Sequence, residues 1–323
     1  MQRQRRRPHV RALAAVAFAP LVVLAACAPA PPAAPTVAET TTTVAPTTAV
    51  PWTTVRAGTG PGYGITIRLQ ADLPPDQATQ AVAAFNAAAA RWEQVITADV
   101  ADATIPNFNG CGNAGPVGTI DDLIIDVTIA PIDGPGRVLG SAGFCARTGT
   151  IARAGSMTFD SADVGPWLTA NQFDRVVLHE MGHVLGIGTM WPTANLLDTT
   201  NPSDPRFTGA AAVAEWRTLS SDPTATGVPV EATGGTGTAL AHWRETTFRS
   251  ELMTGWISLT SSPLSRLSIA SLGDLGYQVD LAAADPYVLG SGLLATVLPG
   301  AEVHDESAGG FILTTPDGPI GTD

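Results

Sequence analysis

A histidine, a glutamate and a second histidine, at His179, Glu180 and His183, constrain this chain more than any other feature of its sequence. Four residues advance an α-helix by slightly more than one turn. Positions 179 and 183 therefore differ by about 40° around the axis, and both imidazoles leave the same face. That spacing lets two ring nitrogens reach one zinc ion at about 2.0–2.1 Å. Glu180, one residue on, is turned out of the ligand set yet stays close enough to act as general base on a water held there. Val176, Val177 and Leu178 precede the pair, Val184 and Leu185 follow it, and Gly186 supplies a helix stop. The chain has only five histidines, so the pattern is no by-product of composition.

A catalytic zinc needs a third protein ligand and an open position for water. Beyond the pair, and past a leader that contains His9, the chain offers His242 and His304. His304 lies in a polar tail, residues 302–310, and reads as solvated. A carboxylate is the other way to complete such a site. Glu215, in Ala211-Ala212-Val213-Ala214-Glu215-Trp216, is the best placed of the later glutamates.

Charge and hydropathy divide the first third of the chain. Arg3, Arg5, Arg6, Arg7 and Arg11 precede an apolar run over 12–26 that is too short to span a bilayer comfortably. Leu24-Ala25-Ala26-Cys27 then resembles a bacterial lipobox, which implies a lipidated Cys27 and a protein exported and anchored to the cell membrane. Without the leader, 12 arginines stand against 29 acidic residues, a formal −17 that argues against a nucleic-acid partner. Residues 28–62 are mostly Ala, Pro and Thr and are expected to form a disordered tether. Cys111 and Cys145 are expected to form a disulfide, as the remaining pair in an exported chain; a zinc-capping thiolate is the alternative.

Residues 65–69 alternate like a strand. Val82, Phe85, Ala89, Trp92 and Ile96 place a core-facing stripe on a long helix opened by Pro74-Pro75-Asp76. Residues 123–129 read as a second strand, with shorter ones at 138–139 and 156–159, followed by a helix over 171–186. Helices are also expected at 210–219 and 263–275. Strand, helix, several strands, helix is the order of an α+β domain with helices on one side of a mixed sheet. Expected boundaries are 1–27 for the signal peptide, 28–62 for the tether, 63–290 for the catalytic domain and 291–323 for a tail. Met157-Thr158-Phe159 reads either as an edge strand that an extended substrate would join or as an ordinary sheet strand. Asp121, Asp122, Asp126 and Asp133 read as solvated loop acids, with a calcium site as the alternative.

His179-Glu180-Met181-Gly182-His183-Val184-Leu185-Gly186 opens the metzincin signature, but Thr189 stands where the usual third histidine would be. Far downstream come His242-Trp243-Arg244-Glu245 and Glu251-Leu252-Met253-Thr254-Gly255. A late histidine followed by Glu-Leu-Met resembles the leishmanolysin family of metallopeptidases, in the form of its compact bacterial members. The resemblance implies a metzincin-like zincin whose active-site helix lies above a loop-rich C-terminal subdomain. It implies His179, His183 and His242 as zinc ligands, Glu180 as general base and Met253 as the Met-turn. The implied activity is endopeptidase action on proteins or peptides outside the membrane, through a water activated by zinc and deprotonated by Glu180. Two other readings stand beside it: a zinc peptidase with Glu215 as third ligand, and an inactive surface-anchored binding lipoprotein.

Overall fold

The computed structural model describes residues 50–290, apart from 59, 60, 137, 236, 257, 259 and 260, together with 311–313. The leader, Cys27 and His304 lie outside the described residues. Ordered chain begins earlier than the Ala/Pro/Thr composition suggests. Thr53–Arg56 forms β1, antiparallel to β2 (Ile65–Ala71), inside the segment expected to be tether. β-Branched Thr53, Thr54 and Val55 suit an edge strand, and that local signal was hidden by the surrounding prolines.

Helix α1 (Pro75–Val95) starts on a proline, where the missing N–H costs nothing, and buries Phe85, Ala89 and Trp92 as its stripe predicts. β3 (Ala103–Thr104) and β4 (Thr119–Ile120) make a small antiparallel ribbon. The main sheet is completed by β5 (Leu123–Ala130), β6 (Gly140–Thr148) and β7 (Ile151–Asp160). Its order is β1-β2-β5-β7-β6, with β11 (Phe311–Leu313) beside β6. β2, β5 and β7 run parallel, β6 is antiparallel to β7, and β11 is parallel to β6. The sheet is mixed, as expected of the α+β class.

One expectation is overturned here. Met157, Thr158 and Phe159 sit in β7, paired on both sides, to β5 and to β6, so no substrate can add to that strand. Outside β7 lies β6, which precedes it in sequence but folds back past it, and β11 pairs beyond β6 at Ala146–Thr148. Val138 and Leu139 only lead into it.

Helices α2 (Ser161–Thr169) and α3 (Phe173–Leu185) follow. α3 packs on α1 and across β6 and β7. The fit against the sheet is close. A Cβ at Gly155 would lie 2.4 Å from Val184 Cγ1, so glycine lets β7 come up against the helix. The opposite face is covered by the chain over 97–122, where Phe108 and Val117 pack on Ile120, Ile124 and Ala154. Two ties hold that cover. Cys111 and Cys145 form a disulfide across 34 residues, which rules out the capping thiolate and contributes roughly 3–4 kcal/mol in the chain-entropy model. Arg68, paired within the sheet to buried Asp126 at 2.7 and 2.9 Å, donates to Gly115 O at 2.8 Å and to Asn109 O at 3.2 Å in the cover.

The four acids considered for calcium do not gather as a set: Asp121 and Asp122 come within ligand spacing of Asp99, and Asp126 and Asp133 lie apart from that group. Asp126 is paired with Arg68, Asp122 accepts the amides of Gly64 and Val100, and the Asp133 amide donates to Asp160. Beyond α3, β8 (Leu197–Asp198), β9 (Arg206–Phe207) and β10 (Val228–Pro229) form a small sheet. α4 (Ala210–Ser220), the single turn α5 (Glu245–Phe248) and α6 (Arg266–Leu275) complete a loop-rich lower part.

Candidate metal centre

Helix α3 ends one residue before Gly186, whose φ of 112° is a left-handed conformation that glycine adopts without strain. The Ile187 amide donates to Gly182 O and the Gly186 amide to His183 O, a Schellman turn. This turn swings Ile187 back so that its carbonyl accepts from His183 Nδ1 at 2.8 Å. The helix stop thereby orients the second histidine. Thr189 does not replace a ligand. Its hydroxyl donates to His183 O at 2.6 Å and stiffens the same turn.

His242 arrives from the opposite direction on a loop arm. Gly188, with φ of 80°, lets that arm approach, since a Cβ there would sit 2.0 Å from Ala241 O. Below the helix, Met253 presses on Gly182, where a Cβ would lie 2.8 Å from its sulfur. Leu252 O accepts from His179 Nδ1 at 2.7 Å, and Thr238 O accepts from His242 Nδ1 at 3.1 Å. Each histidine therefore gives its Nδ1 proton to a backbone carbonyl, which can only accept. The tautomer is fixed, and the Nε2 lone pair is turned to the centre.

The three Nε2 atoms stand 2.9, 3.0 and 3.2 Å apart. Three lone pairs so close repel one another unless a cation lies between them. Tetrahedral donors at Zn–N lengths would be about 3.3 Å apart, close to the observed triangle. Among the described residues, His179, His183 and His242 thus form a set that fits a metal ion, with all three side chains buried.

Glu180 is also fully buried, and neither carboxylate oxygen has a hydrogen-bond partner among the described residues. Burial pushes its pKa up to about 8. A partnerless buried carboxylate is costly, and such residues persist where they have chemistry to perform. Glu215 belongs elsewhere. Both its oxygens are engaged by Arg266, each at 2.9 Å, on the surface between α4 and α6. The glutamate-ligand alternative fails for that reason. The carbonyls of Ile187, Thr238 and Leu252 could not be found by reading side chains, because a backbone acceptor leaves no mark on the sequence.

Burial lowers His179 from 6.5 to about 4, and burial, then the neighbouring His179 and His242, hold His183 well below its ordinary value. Lowered histidines make protons poor competitors for the site. At His179 the folded state binds less proton than the unfolded chain between about pH 6.5 and 4, so the contribution of this group to stability falls as acid is added through that window. A bound metal is expected to stay at pH 6 and leave as pH approaches 4. Metal content after dialysis at stepped pH would show this, and release centred near 6.5 would contradict it.

Fold and site together describe a protein whose three histidines, on the end of one helix and a distant loop arm, form a set that could hold a metal, with a buried carboxylate beside it. A family model for leishmanolysin matches residues 98–299, more than half of the chain, and the chain belongs to the leishmanolysin family of metallopeptidases. It is also similar to a leishmanolysin-like peptidase of Drosophila melanogaster, 41% identical over 69 residues. That match covers 21% of this chain and 10% of the relative's length.

Proposed function

We propose that this protein is a zinc endopeptidase of the metzincin type, with His179, His183 and His242 as ligands, Glu180 as general base and Met253 as the Met-turn. The observation that carries the reading is the convergence of three fixed Nε2 lone pairs beside a buried carboxylate without a partner. Three neutral imidazoles suit zinc. When bound, zinc would supply Lewis acidity to a water and to the scissile carbonyl. Glu180 takes the proton from the attacking water and returns it to the leaving amine. Its raised pKa suits this exchange, because the protonated form is then a usable donor near neutral pH.

An extended substrate would pair with β6. Gly143 of that strand lies beside Thr189, whose hydroxyl is bonded to His183 O, and among the described residues β11 pairs with the strand at Ala146–Thr148. Among the described residues, no helix is long and apolar enough to cross a membrane. Attachment through a lipid on Cys27, with the peptidase facing outward, remains part of the proposal. Cys27→Ser is expected to move the protein from the membrane pellet to the soluble fraction. Unchanged pelleting without detergent would sink the anchor. Metal analysis of the purified full chain tests the site itself: about one zinc per chain is expected, and a chain that takes up no zinc would end the proposal.

A further inference from the structure

Glu251 is buried and lies one residue before Leu252, whose carbonyl holds His179. Its Oε2 accepts from the Met253 amide at 2.6 Å. Its Oε1 accepts from the Ser265 amide at 3.1 Å, the Ser265 hydroxyl at 2.7 Å and the Ser268 hydroxyl at 2.6 Å. A carboxylate can only accept, so both hydroxyls must point their protons at it. That leaves the Ser268 oxygen to accept from Trp243 Nε1 at 2.8 Å. Trp243 follows His242 directly, and its amide donates to Met253 O at 2.9 Å. The acid therefore joins three pieces: the turn at 251–253 that holds His179, the start of α6, and the residue next to His242.

We propose that Glu251 is a positioning residue of the metal centre, which sets how closely the His179 and His242 imidazoles converge by tying the turn at 251–253 to Trp243 through Ser268. The inference rests on the three-histidine metal reading. The shape of the network makes it testable with an isosteric change. In Glu251→Gln, either orientation of the amide sets its nitrogen against a backbone N–H, that of Met253 or that of Ser265. One link must open, and the turn beneath His179 must shift. Outer partners of metal-bound histidines typically change affinity by about 10- to 100-fold.

The test is zinc affinity, read by competition with a chromophoric chelator on the full chain, with folding followed by circular dichroism. Glu251→Gln should fold and bind zinc at least about tenfold more weakly than the parent. Ser268→Ala, which cuts only the branch to Trp243, should weaken zinc by several fold. It also keeps the question answerable if Glu251→Gln does not fold. Asp126→Asn, which breaks a buried pair on the far face of the sheet, serves as the control and should leave zinc affinity unchanged in the folded protein. Zinc binding by both network variants equal to that of the control would overturn the positioning role. A parent chain that binds no zinc would instead overturn the metal reading on which it rests.

Discussion

Replacing His242 with alanine is expected to abolish peptide hydrolysis and to lower zinc occupancy severely, whereas Glu215→Ala should leave both nearly unchanged. The two residues were rival third ligands on sequence grounds, and the structure separates them. His242 Nε2 lies 3.0 Å from His183 Nε2 and 3.2 Å from His179 Nε2, with its Nδ1 held by Thr238 O. Losing one of three ligands removes a large part of the binding free energy, and a two-histidine remnant should not hold zinc against dilute chelator. Glu215, by contrast, serves an Arg266 whose side chain is about half exposed, so its loss should cost roughly 1 kcal/mol of stability or less. Metal analysis and a peptidase assay on both variants check the prediction. Full zinc in His242→Ala with loss in Glu215→Ala would refute it.

Glu180→Gln carries the second large effect. The side chain is outside the ligand set, so zinc should be retained, while kcat should fall by about 10²- to 10⁴-fold because an amide cannot accept the proton. Stability should move the other way. Burial raises the Glu180 pKa to about 8, so in the metal-free protein the folded state holds a proton that the unfolded chain has lost between about pH 4.5 and 8. Its contribution to stability therefore declines as pH rises through that window. Glutamine removes this penalty, and at pH 7 the metal-free variant should melt no lower than its parent. An inactive variant that keeps its zinc and its melting temperature would show that Glu180 acts in chemistry. Near-parental turnover would remove it from that role.

Much of the centre was legible because regular geometry carries it. The spacing of His179 and His183 placed both on one face of α3, and Gly186 marked its end. Apolar runs likewise located β2, α1 and β5. Other features escaped for physical reasons. β6 reads Gly-Ser-Ala-Gly-Phe-Cys-Ala-Arg-Thr, with small residues and little apolar alternation, so it gave no strand signal. Missing it made β7 look like an edge. α2 contains Gly165 and Pro166, poor helix formers, and depends on the Asp160 side chain accepting the Ala162 amide at its start. His242 follows His183 by 59 residues, a separation from which no spacing rule can predict contact. The scarcity of other histidines, Thr189 at the usual ligand position and the Glu-Leu-Met resemblance pointed to it instead. Glu251 stood in that same motif without an assigned role, since its partners Ser265, Ser268 and Met253 meet it only in the folded chain.

We propose that three histidines hold a zinc ion with which Glu180 hydrolyses peptide bonds. Casein degradation by the purified full chain, before and after chelation, tests it most directly. Degradation should stop when the metal is stripped and return when about one equivalent of zinc is restored. A well-folded, zinc-loaded protein that leaves casein and short peptide substrates intact, or degradation indifferent to the chelator, would contradict it.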